Sequence, residues 1–464
     1  MPYSASIPRA GFAPSSVQSA FAALLLLAVA TGCAHAPVAT ASGDVDDCRV
    51  GAYRLADGRS FDVGHAKAGL RWRLRDGTTG LLVGPAGAET STLGATGRPD
   101  GRRLVFDCTA GRVVFDGIAE TREVFAATDT EFVSGDTRLA GRLVLPPGDA
   151  PVPLVVLVHG SEATSARRFE AWQRMLPAAG VAAFVYDKRG TGNSGGVYTQ
   201  DFHRLARDAA AAMGEARRLA GARVSTTTYA GASQGGWVVP LAQGIVPADR
   251  VIVSYGLTVS PLEENRSEAL QQLAARGHGA AALAAAADVV DATGMLMASG
   301  FRDGFDNYAR AWRRHRKAPW FGQIEGEFSG AILRYRPGVL RLVAPVARRR
   351  SAQGTPWTHD PLPALRAVDA PMLWVLAGDD LEAPPAQTRA DLLAMRAAGR
   401  PVTLLEFPAT DHGIVEYETT PGGARRTTRV AEGYFDAVLD FARSGRLDRT
   451  TYGTSRRDGH LGTD

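Results

Sequence analysis

The pentapeptide Gly231-Ala232-Ser233-Gln234-Gly235 sets a serine between two glycines, after a strand-like run (Ser225 to Ala230) and ahead of an apolar helical stretch. That spacing suits a nucleophile. On a sharp strand-to-helix turn the small residues let the backbone pass close to its neighbours. The strained turn also lifts the hydroxyl above the sheet, at the positive end of the helix. A serine hydroxyl attacks only when a base takes its proton and a third group holds that base. A histidine and a carboxylate elsewhere in the chain are the candidates for these two roles. Of the nine histidines, only His412 and His460 lie beyond the last acid-bearing strand. His460 is in the polar C-terminal tail, whereas His412 lies in Pro408-Ala409-Thr410-Asp411-His412-Gly413, directly after the run Val402 to Phe407. The acid falls within Ala377-Gly378-Asp379-Asp380-Leu381-Glu382-Ala383-Pro384, where three carboxylates compete. The chemistry of such a set is acyl transfer through a covalent serine ester. Its oxyanion needs two backbone donors. The sequence has no H-E-x-x-H and no paired Cys/His spacing, so the pattern calls for no metal and no other cofactor.

These residues need a rigid frame, and from about residue 128 the chain supplies a strand–helix–strand rhythm. Strands are expected at Arg138 to Leu145, Leu154 to Val158, Val181 to Tyr186, Ser225 to Tyr229, Val251 to Ser254, Met372 to Leu376 and Val402 to Phe407. Most are continuous apolar runs, as parallel strands covered on both faces require. Arg204 to Leu219 carries Leu205, Ala209, Ala212, Met213, Ala216 and Leu219 along one helical side. Pro240, seven residues after Ser233, should kink or shorten the helix that follows the serine. Residues 259–365 break the rhythm with helical periodicity and a cluster of aromatics, and read as a helical cap inserted into the sheet domain. Most of those aromatics are expected in the cap's own core, with some lining a pocket.

Ahead of this unit the pattern is different. Residues 1–36 read as an export signal: Arg9 is the lone charge in the stretch before residue 35, and Phe21 to Ala30 is a ten-residue apolar core, short of the ~20 residues that span a bilayer. Cleavage could follow Ala34-His35-Ala36, or precede Cys33 in Ala30-Thr31-Gly32-Cys33, a segment that resembles a lipoprotein box and would leave a lipidated, membrane-attached Cys33. Residues 37–127 hold a linker and a small β-rich module of short alternating runs with Asp-Gly turns. Cys48 and Cys108 form an even pair there. In an oxidising compartment they can bridge a loop of roughly 60 residues and contribute about 3–4 kcal/mol. Both features place the protein outside the cytoplasm, in a bacterial cell envelope, as a periplasmic or lipid-anchored species.

Composition narrows the partners. The chain is 464 residues long, 45% hydrophobic and 22% charged, which describes a globular protein. A net charge of +4 from 52 basic and 48 acidic residues is spread too thinly to argue for nucleic acid. A small-molecule ester or acyl substrate is the partner that the motifs imply.

Three motifs in order make the reading more specific. The chain has Val158-His159-Gly160-Ser161, then Asp187-Lys188-Arg189-Gly190-Thr191-Gly192-Asn193-Ser194, then Gly231 through Trp237. Over roughly residues 135–443 it resembles the α/β-hydrolases, in their bacterial esterase and acyl-peptidase-like branch. The resemblance implies an α/β-hydrolase sheet in two parts, 128–258 and 366–445, with the helical cap between them; the small all-β module in front is no part of that fold, and residues 446–464 read as a polar, frayed tail. It implies a Ser233, Asp380, His412 triad, because the family's acid commonly stands four residues before a proline; Asp379 ranks second and Glu382 third. It places the two oxyanion donors on the backbone of Gln234, directly after the serine, and of Ser161. It leaves His159 to organise its loop, and Asp187, Lys188 and Arg189 to form a local ion-pair network. His359, ahead of the acid strand, is structural. The implied activity is a carboxylesterase-like serine hydrolase. A serine aminopeptidase or acyl-peptide hydrolase is the alternative, disfavoured by the lack of a propeller-like repeat array. A non-catalytic envelope lipoprotein with a hydrolase-like domain is the second alternative.

Overall fold

Short antiparallel strands open the described part of the chain. The structure, a computed structural model, describes residues 47–458 apart from 56–57, 68, 85–88 and 351–352. The expected export signal with Cys33, the linker up to residue 46 and His460 lie outside the described residues. Strands β1 (Gly51–Arg54), β2 (Ser60–His65), β3 (Leu70–Leu74), β4 (Thr79–Val83), β5 (Thr90–Thr92), β6 (Pro99–Asp107), β7 (Arg112–Phe115) and β8 (Ile118–Arg122) follow one another around a closed barrel, and β8 pairs back onto β1. Alternation drives the closure: β3 buries Leu70, Trp72 and Leu74 and leaves Arg71 and Arg73 partly exposed. Tyr53, Phe61, Trp72, Leu104, Val113 and Phe115 fill the interior, so the barrel is a packed core rather than a channel. The Cα atoms of Cys48, at the entry to β1, and Cys108, in the turn after β6, lie 5.5 Å apart, a bridgeable separation.

The second unit is a nine-stranded sheet. Its strands are β9 (Ala126–Ser134), β10 (Thr137–Leu145), β11 (Val152–Val158), β12 (Ala182–Tyr186), β13 (Val224–Ala232), β14 (Arg250–Ser254), β15 (Met372–Ala377), β16 (Val402–Phe407) and, past the hairpin described below, β19 (Arg456–Arg457). Their order is β19-β16-β15-β14-β13-β11-β12-β10-β9, parallel from β12 through β16 and antiparallel at both edges. Side chains alternate between two cores. Leu154, Val156 and Val158 of β11 meet the helices Phe202–Ala220, Gly235–Gln243 and Pro385–Ala397. Val155 and Leu157 meet Trp172–Ala178 and Tyr434–Ser444 on the other face. The continuous apolar runs of the sequence are thus two alternating faces, both covered. The helix after Ser233 contains Pro240 and ends at Gln243, three residues on.

Between β14 and β15 the described chain forms helices and no strand, from Pro261–Ala275 to Leu362–Arg366. Ser260 and Glu263 cap the first helix reciprocally, and Pro261 opens it. Phe301, Tyr308, Trp320, Phe328 and Tyr335 are buried together with Val289, Leu296 and Ile332, so these aromatics form the core of the insertion.

Two elements depart from the sequence reading. A hairpin, β17 (Val415–Thr419) and β18 (Arg425–Val430), follows the His412 loop and stands apart from the main sheet. The polar tail is also more ordered than expected. Leu447 and Tyr452 are buried, the Tyr452 hydroxyl donates to Asp440 Oδ2 at 2.8 Å, and β19 pairs antiparallel with β16. Two anchoring side chains and a backbone ladder outweigh the polar composition that suggested fraying.

Candidate active site

Strand β13 delivers the serine, and the glycines around it are sterically required. A methyl group on Gly231 would stand 2.8 Å from Val239 Cγ2 and 2.9 Å from Gly235 O, and one on Gly235 would stand 2.9 Å from Val158 O. Ser233 itself has φ 51°, a left-handed backbone for a residue with a side chain, at a cost of about 1–3 kcal/mol that the surrounding packing must offset. Its N–H donates to Ser254 O at 3.0 Å, which ties the elbow to the end of β14. The next residue there, Tyr255, also at positive φ, packs edge-on against the His412 ring with centroids 4.8 Å apart.

The loops after β15 and β16 bring the acid and the histidine together. His412 Nδ1 lies 2.9 Å from Asp380 Oδ2 and 3.2 Å from Oδ1. Asp380 is 1% exposed, and its Oδ1 accepts the N–H groups of Glu382 at 3.0 Å and Ala383 at 2.7 Å. Asp379 is engaged elsewhere: its Oδ2 accepts the Tyr417 hydroxyl at 3.0 Å. Glu382 is largely exposed and reaches only to 3.8 Å from His412 Nε2. The carboxylate with the geometry to orient the imidazole is therefore Asp380.

The other side of the serine is the loop after β11. A methyl group on Gly160 would lie 3.3 Å from Ser233 Cβ. Buried Lys188 donates from Nζ to Gly160 O at 2.5 Å, and the Tyr198 hydroxyl donates to Ser161 O. Among the described residues no internal acceptor meets the N–H of Ser161 or of Gln234, the two donors expected for the oxyanion. His159 faces Glu162 across 3.7 Å. Burial would raise the Glu162 carboxyl, but His159 and Lys188 outweigh it and hold the group at about 2. Burial likewise pushes Lys188 down to about 8.

The Asp187–Arg189 segment is structural, though not as a mutual ion-pair network. Asp187 accepts from Ser165 Oγ at 2.7 Å and from the N–H groups of Arg167 and Asn193. Arg189 forms a two-pronged bridge to buried Asp208, at 2.7 and 2.6 Å. Lys188 braces the oxyanion-side loop, a role that adjacency in sequence does not reveal. His359 packs against Phe202 and His203.

Comparison with known proteins follows the same lines. Residues 149–257, from the start of β11 to beyond β14, match the family described as serine aminopeptidase, S33. No curated protein matches the chain. The parallel-centred sheet with its serine elbow and helical insertion has the α/β-hydrolase fold. Among solved structures, the chain is similar to an acylaminoacyl peptidase of Pyrococcus horikoshii, at 14% identity and TM-score 0.42, over 86% of this chain and 56% of that one. It thus spans little more than half the length of that peptidase. It is also similar to an esterase of Pyrococcus furiosus (14% identity, TM-score 0.38, 62% of this chain and 85% of that one) and to a thermophilic esterase of Thermogutta terrifontis (17%, 0.35, 61% and 91%).

The candidate site keeps its histidine in a field of carboxylates. Burial alone would lower the imidazole; Asp380, Glu382 and Asp411 outweigh it and push the group up to about 10, against about 6.5 for a free histidine. Were this imidazole the base for Ser233, it would have to be neutral to accept the proton, and activity would be lost as pH falls through this value. The kcat/KM profile is expected to rise into the alkaline range and level off there. A midpoint at the ordinary imidazole value, measured with an uncharged ester, would show that the carboxylates do not govern the base.

Proposed function

We propose that the protein cleaves carboxylic esters through an acyl-enzyme, with Ser233 as nucleophile, His412 as base and Asp380 as its orienting acid. The Asp380–His412 hydrogen bond, on an imidazole packed against Tyr255 next to the Ser254 carbonyl that holds the strained serine elbow, is the observation that carries this reading. Ser233 Oγ attacks the carbonyl carbon and passes its proton to His412 Nε2. The carbonyl oxygen takes the negative charge and is met by the N–H groups of Gln234 and Ser161. His412 returns the proton to the leaving alkoxide, and water repeats the sequence to release the acid. Labelling with a fluorophosphonate tests this directly, since only an activated serine displaces fluoride from phosphorus. A folded protein that takes no label would refute the enzyme reading and favour a binding role in the envelope.

One observation favours a second reading, hydrolysis of substrates bearing a free amino group. The first helix of the insertion carries Glu264 and Glu268 close to Glu327 and Glu382. Burial, then these neighbours, push both well above the usual carboxylate range. Charges on His412 and Asp380 act on Glu264 as well, so the cluster belongs to the site's surroundings. A substrate ammonium would relieve the repulsion. The family description, serine aminopeptidase, agrees with this reading. Parallel assays with p-nitrophenyl esters and aminoacyl p-nitroanilides separate the two. Turnover of the anilides with negligible ester cleavage would move the assignment to an aminopeptidase.

Export to a bacterial envelope, with lipid on Cys33 and a Cys48–Cys108 disulfide, is part of the same proposal and rests on the leader and the cysteine pair. Mass spectrometry of the mature amino terminus tests the anchor, and a free terminus at Pro37 would exclude the lipid. Denatured, unreduced protein is expected to show neither Cys48 nor Cys108 reactive to a thiol reagent. Reduction is expected to cost about 3–4 kcal/mol of stability by denaturant titration.

A further inference from the structure

The N-terminal barrel touches the elements that carry the acid and the histidine, through the hairpin β17–β18. Two barrel turns grip β18. Ala95 N donates to Thr427 O at 2.8 Å and Val430 N donates to Gly77 O at 2.9 Å. Arg426 Nη1 reaches Thr96 O at 2.8 Å, Arg429 Nη2 reaches Asp76 O at 2.5 Å, and Arg98 pairs with Glu418. The approach leaves no room for side chains: a methyl group on Gly77 would stand 2.1 Å from Val430 O, and one on Gly94 would stand 2.3 Å from Thr427 O.

The hairpin also clamps the two catalytic loops to each other. From Arg425, Nη1 donates to Asp379 O at 2.6 Å on the acid loop and lies 3.0 Å from Asp411 Oδ1 on the histidine loop. Its guanidinium sits 4.0 Å from the centre of the Tyr417 ring, whose hydroxyl donates to Asp379 Oδ2. Asp411 Oδ1 in turn accepts Leu381 N at 3.2 Å. A single guanidinium thus cross-links the residue before Asp380 to the residue before His412.

We infer that Arg425 is a positioning residue for the reaction, held in place by the barrel through the β17–β18 hairpin, and that the barrel therefore acts as a brace for the catalytic loops. This rests on the reading that Asp380 and His412 serve Ser233. Two effects follow from the geometry. Without the cross-link the two loops are free to drift, and misplacement of a base by a fraction of an ångström slows chemistry more than binding. Arg425 also offsets the charge of Asp411. The groups facing His412 are Asp380 and Glu382 from the acid loop, Asp411 from its own loop, Tyr255 after β14, and Glu264 from the first helix of the insertion. All except Tyr255 are carboxyls, so an uncompensated Asp411 raises the imidazole further.

The test compares wild type, Arg425→Ala, Arg425→Gln, Arg425→Lys and Gly94→Ala, with an uncharged ester and with fluorophosphonate labelling. For the alanine and glutamine variants, kcat is expected to fall about 10–100-fold while KM stays within about threefold. The acid limb of their kcat/KM profile is expected to move up by about one pH unit, the size of a nearby unit charge. Arg425→Lys is expected to restore the limb and only part of kcat, because it keeps the charge and loses the fork. Gly94→Ala, on the far side of the hairpin, is expected to lower kcat in the same direction. Thermal melting establishes which variants are folded; if the alanine variant is not, the glutamine and lysine variants carry the comparison. Arg425 variants that label and turn over like wild type, with an unmoved limb, would overturn the positioning role. An unaffected Gly94→Ala would overturn the barrel's part in it. Failure of wild type to label would instead bring down the catalytic reading, and this inference with it.

Discussion

Ser233→Ala is expected to lose fluorophosphonate labelling completely and to lower ester turnover by about 10⁶-fold, leaving only what binding and the oxyanion donors supply. The size follows from the division of labour at the site. His412, Asp380 and the two free N–H groups do nothing for hydrolysis until an attacking oxygen stands beside them, so removing that oxygen removes the value of the others. The substitution also separates chemistry from folding. Alanine keeps a Cβ at φ 51°, so the strain of the elbow persists, and the Ser233 N–H to Ser254 O bond is a backbone contact that any residue makes. The variant should therefore melt within a few degrees of wild type. Residual labelling of a folded Ser233→Ala protein would mean that another serine is the nucleophile.

Asp380→Asn is expected to cost about 10⁴-fold in kcat, whereas Asp379→Asn should stay within about threefold of wild type. The two carboxylates are neighbours in sequence and opposites in environment. Asp380 is buried, takes two backbone N–H groups on Oδ1 and holds His412 Nδ1. An amide at that position would present N–H to the imidazole, or give up a backbone bond, and either outcome favours the wrong tautomer. Asp379 meets Tyr417 with its side chain and Arg425 with its backbone oxygen, and an asparagine can still accept from both. Steady-state kinetics of the two variants decides the matter, and a reversed ranking would move the acid to Asp379.

Much of this site was legible because its signals are local. The glycines flanking Ser233 mark a close approach, and His412 is one of two histidines in the right part of the chain. Selecting Asp380 over Asp379 needed more than local chemistry, because both carboxylates follow the same strand; the offset to Pro384 pointed to the residue that the structure brings to His412. Lys188 was read as one member of a charged triplet, yet its partner is a carbonyl 28 residues earlier. Arg189 likewise finds Asp208 on the next helix, 19 residues on. The hairpin left a still weaker trace. Its strands are half-exposed on both sides and rich in charge, so they lack the apolar alternation that betrays the barrel strands. Its contacts also cross most of the chain: Arg426 to Thr96 spans 330 residues and Arg429 to Asp76 spans 353. Sequence periodicity reports which face of an element is dry, and carries almost no information about a contact made through backbone oxygens at such a distance.

That separation also orders events during synthesis. The barrel pairs neighbour with neighbour, so its contacts are local and quick to form, and on a chain made from the amino end it is complete long before Arg425 exists. Its two turns must wait, with their backbone groups facing water, until residues 425–430 arrive to occupy them. A nascent or truncated chain ending before the hairpin would carry a closed barrel and Ser233 on its elbow, yet lack the clamp on its proton acceptor. Such a chain would hold the acid and histidine loops without the cross-link that Arg425 supplies, and only the docking of residues 425–430 on the barrel turns would complete it.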